Sequence, residues 1–209
     1  PAAIKLVDLL LAKAPTQLAH PAIAAACTWV WAPPKAAAAT LKLVVAYPSV
    51  ALDGALVEQL LAKDGERLKK LVSHRSCTPL IEALCAKDAT IKAAVTVPAM
   101  IAALATPEKA GIALSLINTL GIEVGDKLAE LLTAKNDKGK SKLLELLVES
   151  AGATEGAMAC AALVDKLCAS SATIKAAVVS TDTFLALAEP ATAGVALKLI
   201  EEMGLEVGD

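Results

Sequence analysis

His74 and Cys77 stand three residues apart in "SHRSC", a spacing at which two side chains reach one zinc ion. A tetrahedral site needs two further ligands. Neither a Cys-x-x-Cys nor a His-x-x-x-His pair supplies them, so the spacing predicts no metal site. Cys77 and Cys85, like Cys160 and Cys168, are eight residues apart. On one helix that separation is about 12 Å, too far for a mutual disulfide. These cysteines read as reduced thiols in a core, which suits a cytoplasmic or nuclear protein. "GKS" at Gly139 to Ser141 has the tail of a phosphate-binding loop, but the full pattern needs a glycine where Ala134 stands. It reads as the start of a helix. His20 and His74 have no serine or cysteine partner that the sequence can place beside them. Glu123 and Asp126 recur as Glu206 and Asp209, and acids that occur twice favour helix ends over a single general acid and base. Arg67, Lys69, Lys70, His74 and Arg75 form a basic cluster without interleaved aromatics for stacking bases, so it reads as a solvated helix face. The chain is expected to be no enzyme, and to hold neither cofactor nor metal.

The elements that would position these groups are repeated. "ATIKAAV" occurs at Ala89 to Val95 and again at Ala172 to Val178, 83 positions later. Extended without a gap, Leu84 to Asp126 matches Leu167 to Asp209 with 25 identities in 43 positions. A fainter echo relates "LVDLLLAK" at Leu6 to "LVEQLLAK" at Leu56, and the register slips by about seven residues in "NDKGKSKLLELLVESAGATEG". Such a slip belongs in loops or at helix ends. Fixed periods of this kind mark architectures whose units bury their cores by stacking. The expected organisation is one domain over 1–209, with units near 1–40, 41–83, 84–126, 127–166 and 167–209.

Composition points to helices. Hydrophobic residues are 56% of the chain and aromatics 2%, so Leu, Ile, Val and Ala must fill the core. In "EKAGIALSLINTL" the apolar positions Ile112, Leu116 and Leu120 recur at four, with Ala113 and Ile117 beside them and Ser115, Asn118 and Thr119 opposite. Lys198, Glu201 and Glu202 occupy those polar positions in the second copy. Pro107 and Pro190 mark expected helix starts, Gly121 and Gly204 expected stops, and Asp126 an expected N-cap. "CTWVWAP" is the one strand-like run. With 20 basic and 22 acidic residues the net charge is −2, which implies no general attraction for nucleic acid or anionic membrane. Mean hydropathy is +0.59, yet the longest uncharged run, Ala14 to Pro34, is broken by Pro15, Gln17, His20 and Pro21. A membrane span of about 20 apolar residues is not expected.

"TPEKAGIALSLINTLG", "IEVGDKLAELLTA" and "DKGKSKLLELLVES" together resemble the third helix, linker and second helix of armadillo repeats, and more loosely HEAT repeats. The resemblance implies an all-α, right-handed α-solenoid that binds proteins or extended peptides along a groove, without catalysis. Asn118 falls where such repeats carry an asparagine that holds a ligand backbone. Leu114 stands where they carry tryptophan, and the second copy has Glu201 and Leu197 at the two places, so the resemblance implies a scaffold more than that peptide ladder. The expected binding residues are Ser115, Asn118 and Thr119 with Lys198, Glu201 and Glu202. Because these faces run from neutral to acidic, the expected partner is a protein or peptide with a basic segment. The alternatives are a pumilio-like nucleic-acid-binding repeat, suggested by "LVSHRSCTPLIEAL", and a carrier of an apolar ligand.

Overall fold

The computed structural model describes residues 54–203 together with Leu9, Ala12, Lys13, Leu41 and Val45. The "LVDLLLAK" echo, "CTWVWAP", His20, Cys27, Gly204, Glu206 and Asp209 lie outside the described segment or almost wholly so. The described residues are all-α: they contain no strand, only an isolated antiparallel bridge between Lys135 and Ser141. The chain divides into two compact units, Pro1–Val97 and Pro98–Asp209.

In the first unit, α1 (Gly54–Val72) is followed by a 3-10 turn at Arg75–Cys77, α2 (Thr78–Lys87) and α3 (Ala89–Val95). Each of the three helices packs on the other two. Their buried positions follow the helical period: Leu68 and Val72, Ile81 and Cys85, Ile91 and Val95 each recur at four. Burying one such Leu or Ile side chain contributes about 1.5–3 kcal/mol. That gain is needed, because a seven-residue helix such as α3 is marginal alone.

The second unit contains α4 (Pro98–Leu104), α5 (Ala110–Leu120), α6 (Asp126–Thr133), α7 (Lys142–Glu149), α8 (Glu155–Ser170), α9 (Ala172–Val178), α10 (Thr181–Leu187) and α11 (Ala193–Met203). The longest, α8, packs against α5, α7 and α9, and α6 packs against α4, α7 and α9. α4 meets α5, and α10 meets both α7 and α11. The α5–α8 contact is close because its side chains are small. A β-carbon on Gly111 of α5 would lie 3.7 Å from that of Ala159 of α8. The helices α9, α10 and α11 begin 83 residues after α3, α4 and α5, and α9 and α10 also end 83 residues after α3 and α4.

Side chains set the helix starts. Asp88 Oδ1 accepts from the amides of Thr90 and Ile91, both at 2.8 Å, and starts α3. Ser171 Oγ accepts from Ile174 and starts α9. "ATIKAAV" therefore follows a different cap in each copy, and in each the capping residue also ends the preceding helix. Two expectations about helix starts are corrected. Asp126 is the first residue of α6, and Gly125 is the N-cap; the carboxylate favours the positive end of the helix dipole instead of capping it. Pro107 and Pro190 precede their helices by three residues. Lys109 donates to the Thr106 carbonyl at 3.0 Å and Thr192 to that of Glu189 at 3.0 Å, so each proline takes the second position of a turn, for which its fixed φ is suited.

Gly121 ends α5 with φ of 64°, and the amide of Ile122 reaches back to the Ile117 carbonyl at 3.1 Å. Nothing lies within 4 Å of a β-carbon at that position, so the demand is one of backbone conformation alone. Gly121→Ala is expected to lower unfolding stability by about 1 kcal/mol or more, whereas Gly111→Ala, in ordinary helical conformation with room for a methyl group, should raise it by up to about 1 kcal/mol. Asp88→Ala should cost about 1 kcal/mol through loss of the cap. Denaturant unfolding of the three variants checks all of these signs.

Candidate functional site

The end of α5, the Gly121 turn and the extended linker to α6 form one wall of an open cleft of about 510 Å³ in the second unit. The last two turns of α8 form the other. Ile117 and Val124, both buried, underlie it, and four polar side chains line it: Asn118, Glu123, Lys166 and Ser170. Lys166 and Ser170 share a face of α8 because they are four residues apart. The cleft thus offers a carboxamide that both donates and accepts, a carboxylate, an ammonium and a hydroxyl. That set suits the alternating donors and acceptors of an extended peptide better than an apolar ligand. Its lining contains no cysteine or histidine.

Of the expected binding residues, Asn118 alone lines this cleft. Thr119 is exposed on the same helix and Ser115 is half-buried there. Lys198 and Glu201 are exposed on α11, which packs against α10; Glu202 lies in α11, with its side chain outside the described set. Lys166 and Ser170 were missed at the sequence level because they belong to the helix preceding the repeated "ATIKAAV", and nothing local couples that helix to the end of α5.

The remaining sequence candidates have structural roles. Ser141, the last residue of "GKS", accepts from the Leu144 amide at 3.2 Å and starts α7. Asn136 Oδ1 accepts from the amides of Lys138 and Lys140, shaping the preceding loop. From α7, half-buried Lys142 donates to the Ala102 carbonyl at 2.8 Å, placing a cation at the negative end of α4. Arg67, Lys69, Lys70, His74 and Arg75 are all exposed, and Lys70 meets Glu66 at 3.9 Å. His74 is exposed whereas Cys77 is fully buried, so the two do not face one ion. Among the described residues no three of His, Cys, Asp and Glu gather as a metal-binding group, and no helix is long and apolar enough to cross a membrane.

Cys77, Cys85 and Cys160 are buried free thiols. Cys168 is only half-buried, which corrects the expectation that it would match Cys85 in the core. Burial pushes the thiols of Cys85, Cys160 and Cys168 up from 9.0 to about 11, with Asp88 and Glu82, Glu149 and Glu108, and Asp165 respectively adding to it. Cys77 is raised for the same first reason. These are poor nucleophiles at neutral pH. The folded state holds protons that the unfolded chain releases, so the thiols' contribution to stability is intact below about pH 9 and is lost as pH rises toward about 11. Urea midpoints should fall more across that window in the native chain than in a variant with Cys85, Cys160 and Cys168 changed to Ala. Compared with known proteins, the chain matches no family model, no curated protein and no solved structure.

Proposed function

We propose that the chain is a non-catalytic protein-interaction scaffold, a right-handed α-solenoid of stacked helical repeats of the armadillo or HEAT kind, which takes an extended segment of a protein partner. The observation that carries this reading is the return of three successive helix starts 83 residues along the chain. The 25 identities in 43 positions that accompany it are mainly apolar or helix-ending residues, which is what stacking requires. Recognition then falls to the polar positions where the copies differ. Asn118 beside Lys166, Ser170 and Glu123 holds the backbone of the bound segment, and the exposed Glu201 with Glu202 favours basic side chains further along. The free thiols of Cys77, Cys85, Cys160 and Cys168 support a cytoplasmic or nuclear setting.

A library of short peptides probed with the full chain tests the proposal. Captured peptides should be enriched in Lys and Arg, and Asn118→Ala should weaken them by about tenfold, the cost of about one hydrogen bond left unmade inside the complex. Glu201→Lys with Glu202→Lys should remove the basic preference while the thermal midpoint stays nearly unchanged. Capture unaffected by both changes would overturn the assignment.

A further inference from the structure

The link from α5 to α6 is short and does not close on itself. Gly121 and Ile122 both return their amides to the Ile117 carbonyl, and the Gly125 carbonyl accepts from the amides of Leu128 and Ala129 at 3.0 and 3.1 Å. Between these anchors, the amides of Glu123, Val124 and Gly125 and the carbonyls of Ile122, Glu123 and Val124 make no hydrogen bond among the described residues. Other connections of the same unit use theirs. Before α5, Thr106 donates to the Leu104 carbonyl and Lys109 to that of Thr106. After α6, Asn136 donates to Lys140 and Gly139 to Asn136, and Asn136 Oδ1 takes two further amides. A backbone donor or acceptor must be paired once water is removed from it, so whatever fills the cleft must answer these groups.

The link has the form of a strand edge. Ile122 is half-buried and Val124 buried, whereas Glu123 and Gly125 are exposed, the alternation of an extended chain with one face on the core. Gly125 itself is extended, with φ of −82° and ψ of 176°. Successive residues of such a chain turn their main-chain groups to opposite sides. Ile122 turns its amide back to α5, so Glu123 presents both its N–H and its C=O on the other side, with the Gly125 N–H beside them. Asn118, Lys166 and Ser170, which line the same cleft, make no hydrogen bond or ion pair among the described residues. Two rows of unused polar groups, one of main chain and one of side chains, therefore border one opening.

An α-helix cannot answer the main-chain row, because its own main chain is already paired internally. An apolar small molecule leaves both rows dry and unpaired. An extended chain brings donors and acceptors at the matching spacing. We infer that the partner's segment binds by adding a β-strand to this edge, exchanging both hydrogen bonds with Glu123 and accepting one from the Gly125 amide, while its outer edge and side chains meet Asn118, Lys166 and Ser170. This rests on the scaffold reading and deepens it. Main-chain pairing supplies affinity with little regard to sequence, so the partner class is a segment that lies extended without proline at the paired positions, and the choice among such segments is left to side chains.

Gly125→Pro isolates the main chain. It deletes an amide hydrogen that has no internal partner to lose; the φ of −82° is close to that of proline, and a β-carbon at Gly125 meets nothing within 4 Å. Gly125→Ala adds a β-carbon but keeps the donor. The probe is the tightest peptide captured from the library by the native chain, labelled with a fluorophore and titrated into each full-length variant. The proline variant is expected to bind about tenfold more weakly than the alanine variant, with a thermal midpoint no lower. The same peptide, N-methylated at one amide at a time, should lose most affinity for the native chain at alternate residues, a readout that needs no variant to fold. Equal affinity of the two variants, or tolerance of N-methylation at every position, overturns the inference, as does a helical circular dichroism signal from the bound peptide. Where Asn118→Ala still weakens that peptide, the scaffold reading stands and the failure lies with main-chain pairing; a library that yields no peptide overturns both.

Discussion

A core built without large side chains must obtain its burial from the nearness of helices. Among the described residues the buried apolar positions are Leu, Ile, Val, Ala, Cys and Met, with no aromatic among them. Each contributes little area, so stability depends on many close contacts, and Gly111 opposite Ala159 shows how close the α5–α8 approach becomes. The same constraint makes α8 the hub of its unit. It is long enough, at 16 residues, to meet α5, α7 and α9 in turn.

Close packing of short helices makes the corners between them as important as the helices. Five of the described helices have seven or eight residues and start from an aspartate or serine side chain, or from the conformation of a glycine. At Asp88 and Ser171 one residue ends a helix and starts the next. This economy leaves no linker to absorb error, so the direction of α3 and α9 is fixed by two or fewer hydrogen bonds and by the burial of Ile91, Val95, Ile174 and Val178. Lys142 serves the same end over a longer range, joining α7 to the C-terminal end of α4.

The polar surface follows from what the core leaves over. Asn118 is exposed because Ile112, Ala113, Leu116 and Ile117 take the buried face of α5, and it meets Lys166 and Ser170 because α8 crosses that helix. The cleft is thus a by-product of one helix contact and one glycine turn. Its lining mixes donors, acceptors and both signs of charge.

The spacing of apolar and polar residues was enough to predict an all-α chain, the buried face of α5 and the stop at Gly121, because these depend on neighbours within one turn. Self-similarity likewise predicted matching helices at an offset of 83, and α9 and α10 keep the bounds of α3 and α4 at that offset. Finer local choices were less legible. Gly125 displaced Asp126 as the cap of α6 although it has no side chain to accept from the first amides, and Pro107 and Pro190 served turns instead of helix starts, since the chain path decides both. Tertiary structure alone decided that Lys166 and Ser170 share a cleft with Asn118, that Cys168 is more open than Cys85, and that Leu185 is bare where Ala102 is covered. Each of these depends on which helix lies across another, of which local sequence carries no record.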